Sequence, residues 1–144
     1  MILKKLFKRS HDGSIMVEAA LMIPILLGVT FFIIEFGSVL YLANTLNQIA
    51  RTAVRYASVT PSYSQQDLID AAGANTLLKD VSKLTLNITP APGAAKSVGT
   101  TITVTVSYTY IPIINPFKLF NSNQSWAPVI MSASVARAEV SNAA

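Results

Sequence analysis

The chain has 144 residues, of which 51% are hydrophobic and 12% are charged, and it contains no cysteine. A charged fraction about half the usual 25% favours a membrane segment, and the length leaves room for one further domain. Without cysteine, disulfides and thiolate metal sites are excluded. Residues 1–13 carry +3 of the net charge of +4, so the basic balance does not indicate nucleic-acid binding.

An apolar run extends from Ile15 to Ala43 and is interrupted only by Glu18 and Glu35. As a helix these 29 residues would be about 43 Å long, against roughly 30 Å of hydrocarbon in a bilayer. One helix can therefore cross a membrane and continue beyond it. Basic residues precede the run, and this charge bias predicts that the N-terminus lies in the cytoplasm and most of the chain lies on the outer side of the membrane. The run is too long for an ordinary cleaved signal peptide, and no small-residue cleavage site follows it.

Glu18 is the most informative residue, because it lies one helical turn inside the apolar run. An ionised carboxylate there costs on the order of 2.5–3.5 kcal/mol. Cleavage after Gly13 would give Ser14 a free ammonium on the same side of the helix as Glu18. In a packed array that ammonium could instead meet Glu18 of the next subunit. A plain signal anchor, with Glu18 reaching the cytoplasmic interface, explains these residues equally well.

A longer pattern decides between these interpretations. In order and spacing it comprises a basic leader ending in Gly13, then Val17-Glu18, Ile23-Pro24, Glu35-Phe36-Gly37 and Ala50-Arg51 … Ala53 … Arg55-Tyr56-Ala57. The stretch from Asp12 to Val59 thereby resembles the N-terminal module of the TadE-like proteins, which are pseudopilins of the Tad (Flp, tight-adherence) pilus systems. Two features depart from the family: Ala19 stands where an aromatic residue is more common, and the leader reads KRSHDG.

The resemblance implies cleavage between Gly13 and Ser14 by a prepilin peptidase, and docking of Glu18 onto other pilins and pseudopilins. It divides the chain into a leader (1–13), a transmembrane and amphipathic helix (14–59) and an extracytoplasmic head (60–144). It also implies a single-pass inner-membrane protein that works with the pilus assembly platform and can enter an extracellular pilus. Major pilins of these systems are shorter and nearly all helical, so the head favours a minor subunit. The alternative is a surface or binding protein held by an uncleaved anchor.

Three further features of the long helix are predicted from its proline and its charged residues. Pro24 lacks an N–H and should kink the helix. Glu35 either contacts a partner or marks where water begins. Arg51 and Arg55 lie one turn apart, where they contact membrane lipid head groups or an acidic partner, or form a solvated basic face.

The head is predicted to be a small α+β domain, which makes the whole chain α+β. Ser64 and Asp67 resemble an N-cap pair that begins a second helix over residues 65–79. Alternating apolar residues predict a three-stranded antiparallel sheet that packs against the end of the long helix, with strands at 84–89, 101–110 and 129–140. The loop from Ile111 to Pro128 either binds a partner or covers the sheet with Phe117, Leu119, Phe120 and Trp126.

Catalysis is not expected. The single histidine, His11, lies in the predicted leader, so the mature chain lacks the commonest nucleophile and base pairs. Asp67, Asp70 and Asp80 lack the alternate-residue spacing of a calcium loop and are interpreted as solvated surface. No cofactor or metal is therefore predicted.

Overall fold

A computed structural model describes residues 11–113 and 127–142 of the chain. The predicted leader up to residue 10 lies outside the described residues, and so do Phe117, Leu119, Phe120 and Trp126 of the predicted loop. The chain forms two compact units, Met1–Gly37 and Ser38–Ala144. The predicted α+β class is confirmed: a long N-terminal apolar helix precedes further helices and a three-stranded antiparallel sheet. The boundaries after residues 13 and 59 stay predictions.

Helix α1 runs from His11 to Val59 and contains Pro24. The helix continues through Pro24, which has no N–H to donate to the preceding turn; a kink there stays a prediction. The end of α1 agrees with the sequence, since Thr60 directly precedes Pro61 and residues before proline disfavour the helical conformation. The Thr60 amide still donates to the Tyr56 carbonyl at 3.0 Å, which completes the last turn.

The second helix begins where its capping residues predict but is divided in two. Helix α2 spans Gln65–Ala71, and the Ser64 hydroxyl accepts from the Asp67 amide while the Asp67 carboxylate accepts from the Ser64 amide. A single helix to residue 79 was the wrong prediction, because Gly73 adopts a left-handed conformation with φ of 64°. Glycine reaches that region without steric cost and ends the helix. Helix α3, Ala74–Leu77, follows at once.

The predicted sheet is present, in the order β1-β2-β3 with antiparallel neighbours. Its strands are β1 (Leu84–Thr89), β2 (Thr101–Thr109) and β3 (Val129–Arg137). The alternation along β2 is confirmed, since Ile102, Val104 and Val106 are fully buried and the threonines between them are not. Strand β3 ends before the predicted residue 140 because the Glu139 amide leaves the sheet and donates to the Ser58 carbonyl of α1.

One hydrophobic core holds the second unit together. The last turns of α1 carry apolar residues at helical spacing, and of these Leu46, Ile49, Ala53 and Ala57 have no solvent exposure. These residues join the inner face of the sheet and Leu68 of α2 in a single buried cluster. The head thus packs against the apolar face of the C-terminal part of α1, as expected for an amphipathic helix.

Candidate processing site and docking helix

Gly13, Ser14 and Glu18 all lie in the first turns of α1. Positions 14 and 18 are four residues apart, so they share one side of the helix, separated by about 6 Å of rise. The Glu18 side chain is exposed. The helix thus places the predicted Ser14 ammonium on the same side as the Glu18 carboxylate, so the two could pair within one chain. Each could instead pair with the opposite charge of a neighbouring chain.

Around and beyond Glu18, α1 exposes apolar side chains on all its sides. Large hydrophobic residues from Ile15 to Phe36 are 44–75% exposed. Among the described residues, one helix is long and apolar enough to cross a membrane, and its most apolar window has no buried part. A surface of this kind requires lipid or other apolar helices around it.

The Thr30 hydroxyl within this surface has a local hydrogen-bond partner. The Thr30 hydroxyl donates to the Leu26 carbonyl at 2.8 Å, one turn earlier. Phe32 and Phe36, also one turn apart, stack with ring centroids 6.1 Å apart. The local hydrogen bond of Thr30 suits a helix in hydrocarbon, where unpaired polar groups are costly.

The remaining predicted contact residues lie further along the same helix. Glu35 is partly buried, whereas Arg51 and Arg55 are exposed. Arg51 belongs to a polar strip on α1, which we define as the five residues that line a shallow concavity of about 460 Å³: Asn44, Asn47, Gln48, Arg51 and Thr52. The strip contains no carboxylate and therefore favours an anionic group.

The family comparison bears directly on this helix. Residues 13–55 match the family model described as TadE-like protein. This segment of the chain therefore resembles the TadE-like family. The match begins at Gly13, lies entirely within α1 and contains the predicted contact residues Glu18, Glu35, Arg51 and Arg55. No curated protein and no solved structure matches the chain.

The TadE-like match confirms the resemblance and indicates a Tad pilus-associated protein of a structural family. The roles assigned to Gly13, Ser14, Glu18, Arg51 and Arg55 stay predictions.

One important residue of the head was missed in the sequence, namely Lys96. Its side chain is 3% exposed, and its ammonium donates to the Ala57 carbonyl at 2.8 Å and also to the Thr60 carbonyl. The same ammonium lies 4.9 Å from the centroid of the Tyr63 ring. The last turn of α1 has no basic residue of its own, so a lysine from a distant loop supplies the cation that a helix C-terminus favours.

The backbone of Lys96 is held as firmly as its side chain. Its amide donates to the Asn142 side-chain oxygen at 2.6 Å, and the Asn142 side-chain amide donates to the Ala94 carbonyl at 2.9 Å. Burial lowers the pKa of the Lys96 ammonium. Nothing in the local sequence indicates this role, because the partners lie 36 to 46 residues away.

The three aspartates considered as a metal cluster have separate local partners. Asp67 caps α2, and Asp70 accepts hydrogen bonds from Gln66 and Asn75. Asp80 pairs with Lys83 at 2.9 Å, and hydrogen bonds from Ser82 and Lys83 lower the pKa of Asp80 to about 2. Among the described residues, no group of three histidine, aspartate or glutamate side chains could hold a metal ion.

Proposed function

We propose that the chain is a minor pseudopilin of a Tad/Flp-type pilus, cleaved after Gly13 by a prepilin peptidase and active in pilus assembly, priming or adhesion. The observation that carries the proposal is the TadE-like helix, whose apolar surface is exposed on all sides and contains Glu18. Its proposed partners are the peptidase, other pilins and pseudopilins, the inner-membrane assembly platform and membrane lipid.

The exposed surface supports a helix that changes its surroundings. Lipid would cover the apolar side chains while the protein resides in the membrane, and neighbouring helices would cover them after assembly. Both environments are apolar, so the transfer requires little change in solvation of the side chains. What differs is the partner available to the Glu18 carboxylate, since the N-terminus of a neighbouring subunit can offer an ammonium and the hydrocarbon of the bilayer cannot.

The head supports a minor role. The second unit, Ser38–Ala144, contains a sheet, short helices and a buried core of its own. By resemblance to Tad systems, a main filament subunit would be much shorter and almost entirely helical. A subunit with a folded head fits a position where few copies are needed, such as a priming complex or a tip.

A signal-anchored surface or binding protein is the alternative. That protein would keep residues 1–13, and Glu18 would have no subunit to join. The exposed position of Glu18 and the local pairing of Thr30 suit either protein. The N-terminus of the mature chain distinguishes them.

Replacing Glu18 tests the docking role. We expect Glu18→Leu to be cleaved normally but to fall at least about tenfold in sheared pili, because losing about 1.4 kcal/mol of pairing corresponds to a factor of ten. Immunoblots of membrane and pilus fractions measure both steps. Glu139→Leu, which removes an exposed carboxylate of the head, serves as the control and should assemble normally. Normal assembly of Glu18→Leu would contradict the docking role.

A further inference from the structure

The two outer strands of the sheet differ in how their free edges are protected. Strand β1 has six residues and is followed by Pro90, and the Gln65 side chain donates to its Leu86 carbonyl at 3.3 Å. Strand β3 has nine residues, all paired with β2 without a bulge. In the described part of the chain β3 is the last strand of the sheet, so about every second residue directs its backbone N–H and C=O outward.

Strand β3 also lacks the side chains that usually protect an edge. It has no proline and no lysine, and its single charge, Arg137, lies at its end. On its outward face Val129, Met131 and Val135 are 57%, 66% and 60% exposed. Natural proteins avoid long, flat, apolar edge strands, because such an edge recruits another strand. An edge of this kind in a folded head indicates a docking site.

The polar strip of α1 connects to this edge. The Ser132 hydroxyl of β3 donates to the Asn47 side-chain oxygen at 2.6 Å. Arg51 follows Asn47 by one helical turn and lies on the same side of α1. Neither β3 nor the polar strip contains a carboxylate. The chemistry beside the edge is therefore a row of backbone groups, side-chain amides and a cation.

We propose that the β3 edge binds an extended segment of a partner protein, which adds to the sheet as a fourth strand and directs an acidic side chain towards Arg51. Backbone hydrogen bonds would give the affinity and side-chain contacts the specificity, as in other cases of strand addition. A second copy of this chain fits less well as the occupant, because its β3 would bring no carboxylate and would add another arginine. The inference does not depend on cleavage after Gly13.

Peptide binding to the full chain in phosphatidylcholine nanodiscs tests the proposal. The probe is an acetylated nonapeptide of alternating threonine and valine with aspartate at its centre, and the matched peptide has serine there. We expect saturable binding, with slowed hydrogen exchange along β3. The aspartate peptide should bind about three- to fivefold more tightly than the serine peptide, the range of an exposed ion pair. In Arg51→Gln the two peptides should bind equally.

Edge variants provide the second arm. Met131→Lys combined with Val135→Lys should weaken binding of both peptides by roughly tenfold, since lysine is a natural edge protector. Both side chains are exposed, so the urea midpoint should not move. Asn87→Lys, which adds a charge to an exposed position of β1, should bind as the parent does. Four results would each overturn the proposal. They are slowed hydrogen exchange along β1 instead of β3, equal binding of the two peptides by the parent, self-association through β3, and no binding at millimolar peptide.

Discussion

The two parts of α1 show how one helix can be built for two different surroundings. Before Gly37 its large apolar side chains are exposed on all sides, as with Leu26, which is 68% exposed. After Ser38 the apolar residues concentrate on one stripe, and Leu46 has no solvent exposure. A helix that is apolar all round needs lipid or other helices, whereas an amphipathic helix is completed by its own domain. The change of pattern marks where the apolar surroundings of α1 come from its own domain rather than from lipid or other helices.

Charge shows the same contrast. Lys96 is buried in the head, but the Ala57 and Thr60 carbonyls and the Tyr63 ring surround its ammonium. The cost of burying this ammonium is therefore offset within the chain. Glu18 lies in the apolar part of α1, and in our proposal its partner is the Ser14 ammonium, in the same subunit or the next. The buried charge of the head thus has its partners in the described fold, whereas in our proposal the charge of Glu18 gains a partner only when cleavage creates the Ser14 ammonium.

The largest expected effect on stability distinguishes truncation of a buried leucine from truncation of an exposed leucine in the two parts of α1. Leu46→Ala should lower the free energy of unfolding of the head by about 2–5 kcal/mol, because it leaves a cavity in a packed core. Leu26→Ala is the matched control on the same helix and should leave that free energy unchanged. Urea denaturation in detergent micelles, followed by the near-ultraviolet circular dichroism of the buried tyrosines, measures both. Equal losses of unfolding free energy in the two variants would contradict the difference between the two parts of α1.

The next effect concerns the cation at the end of α1. Lys96→Met should cost about 1–3 kcal/mol, because the Ala57 carbonyl would be left buried without a donor. Hydrogen exchange in the last turn of α1 should accelerate together with the loss of stability. Lys79→Met, at an exposed lysine, should change neither quantity. A Lys96→Met protein as stable as the parent would show that the head does not depend on this contact.

The smallest effect is expected at the start of α2. Ser64→Ala removes the hydroxyl that accepts from the Asp67 amide at 3.1 Å and should cost about 1 kcal/mol, as for other N-caps. The pKa of Asp67 is lowered first by the Ser64 backbone amide, which alanine keeps, and then by the Ser64 side chain, so it should rise only in part in the same variant. Ser62→Ala lies two residues earlier outside the capping box and should be neutral. If both serines behaved alike, the capping box would contribute no stability.

Elements that depend on local pattern could be predicted from the sequence. Strand β2 alternates over its whole length and was located correctly, and the buried stripe of α1 has the helical period expected of the predicted amphipathic helix. The break at Gly73 was missed, because glycine within a helical pattern is compatible with continuation as well as with a left-handed turn. The end of β3 was misplaced, because the Glu139 amide bonds to Ser58, about eighty residues earlier in the chain.

The candidate site divides in the same way. Gly13, Ser14 and Glu18 could be selected from the sequence, because they lie within six consecutive positions of one helix and match a TadE-like pattern, and their roles stay predictions. The role of Lys96 was not, since it depends on carbonyl groups that only the folded chain brings near. The connection between Ser132 and Asn47 likewise joins residues 85 positions apart. Contacts of that kind follow from tertiary packing and leave no periodic signal.

In our proposal the exposed part of α1 is the mature N-terminus of a pilus subunit. Intact mass and N-terminal sequencing of the protein extracted from membranes test it most directly. We expect a mature chain that begins at Ser14, and we expect Gly13→Leu to retain the leader, because a side chain at position 13 blocks close approach of the peptidase to the backbone. A parent protein that still carries residues Met1 to Gly13 would contradict the account.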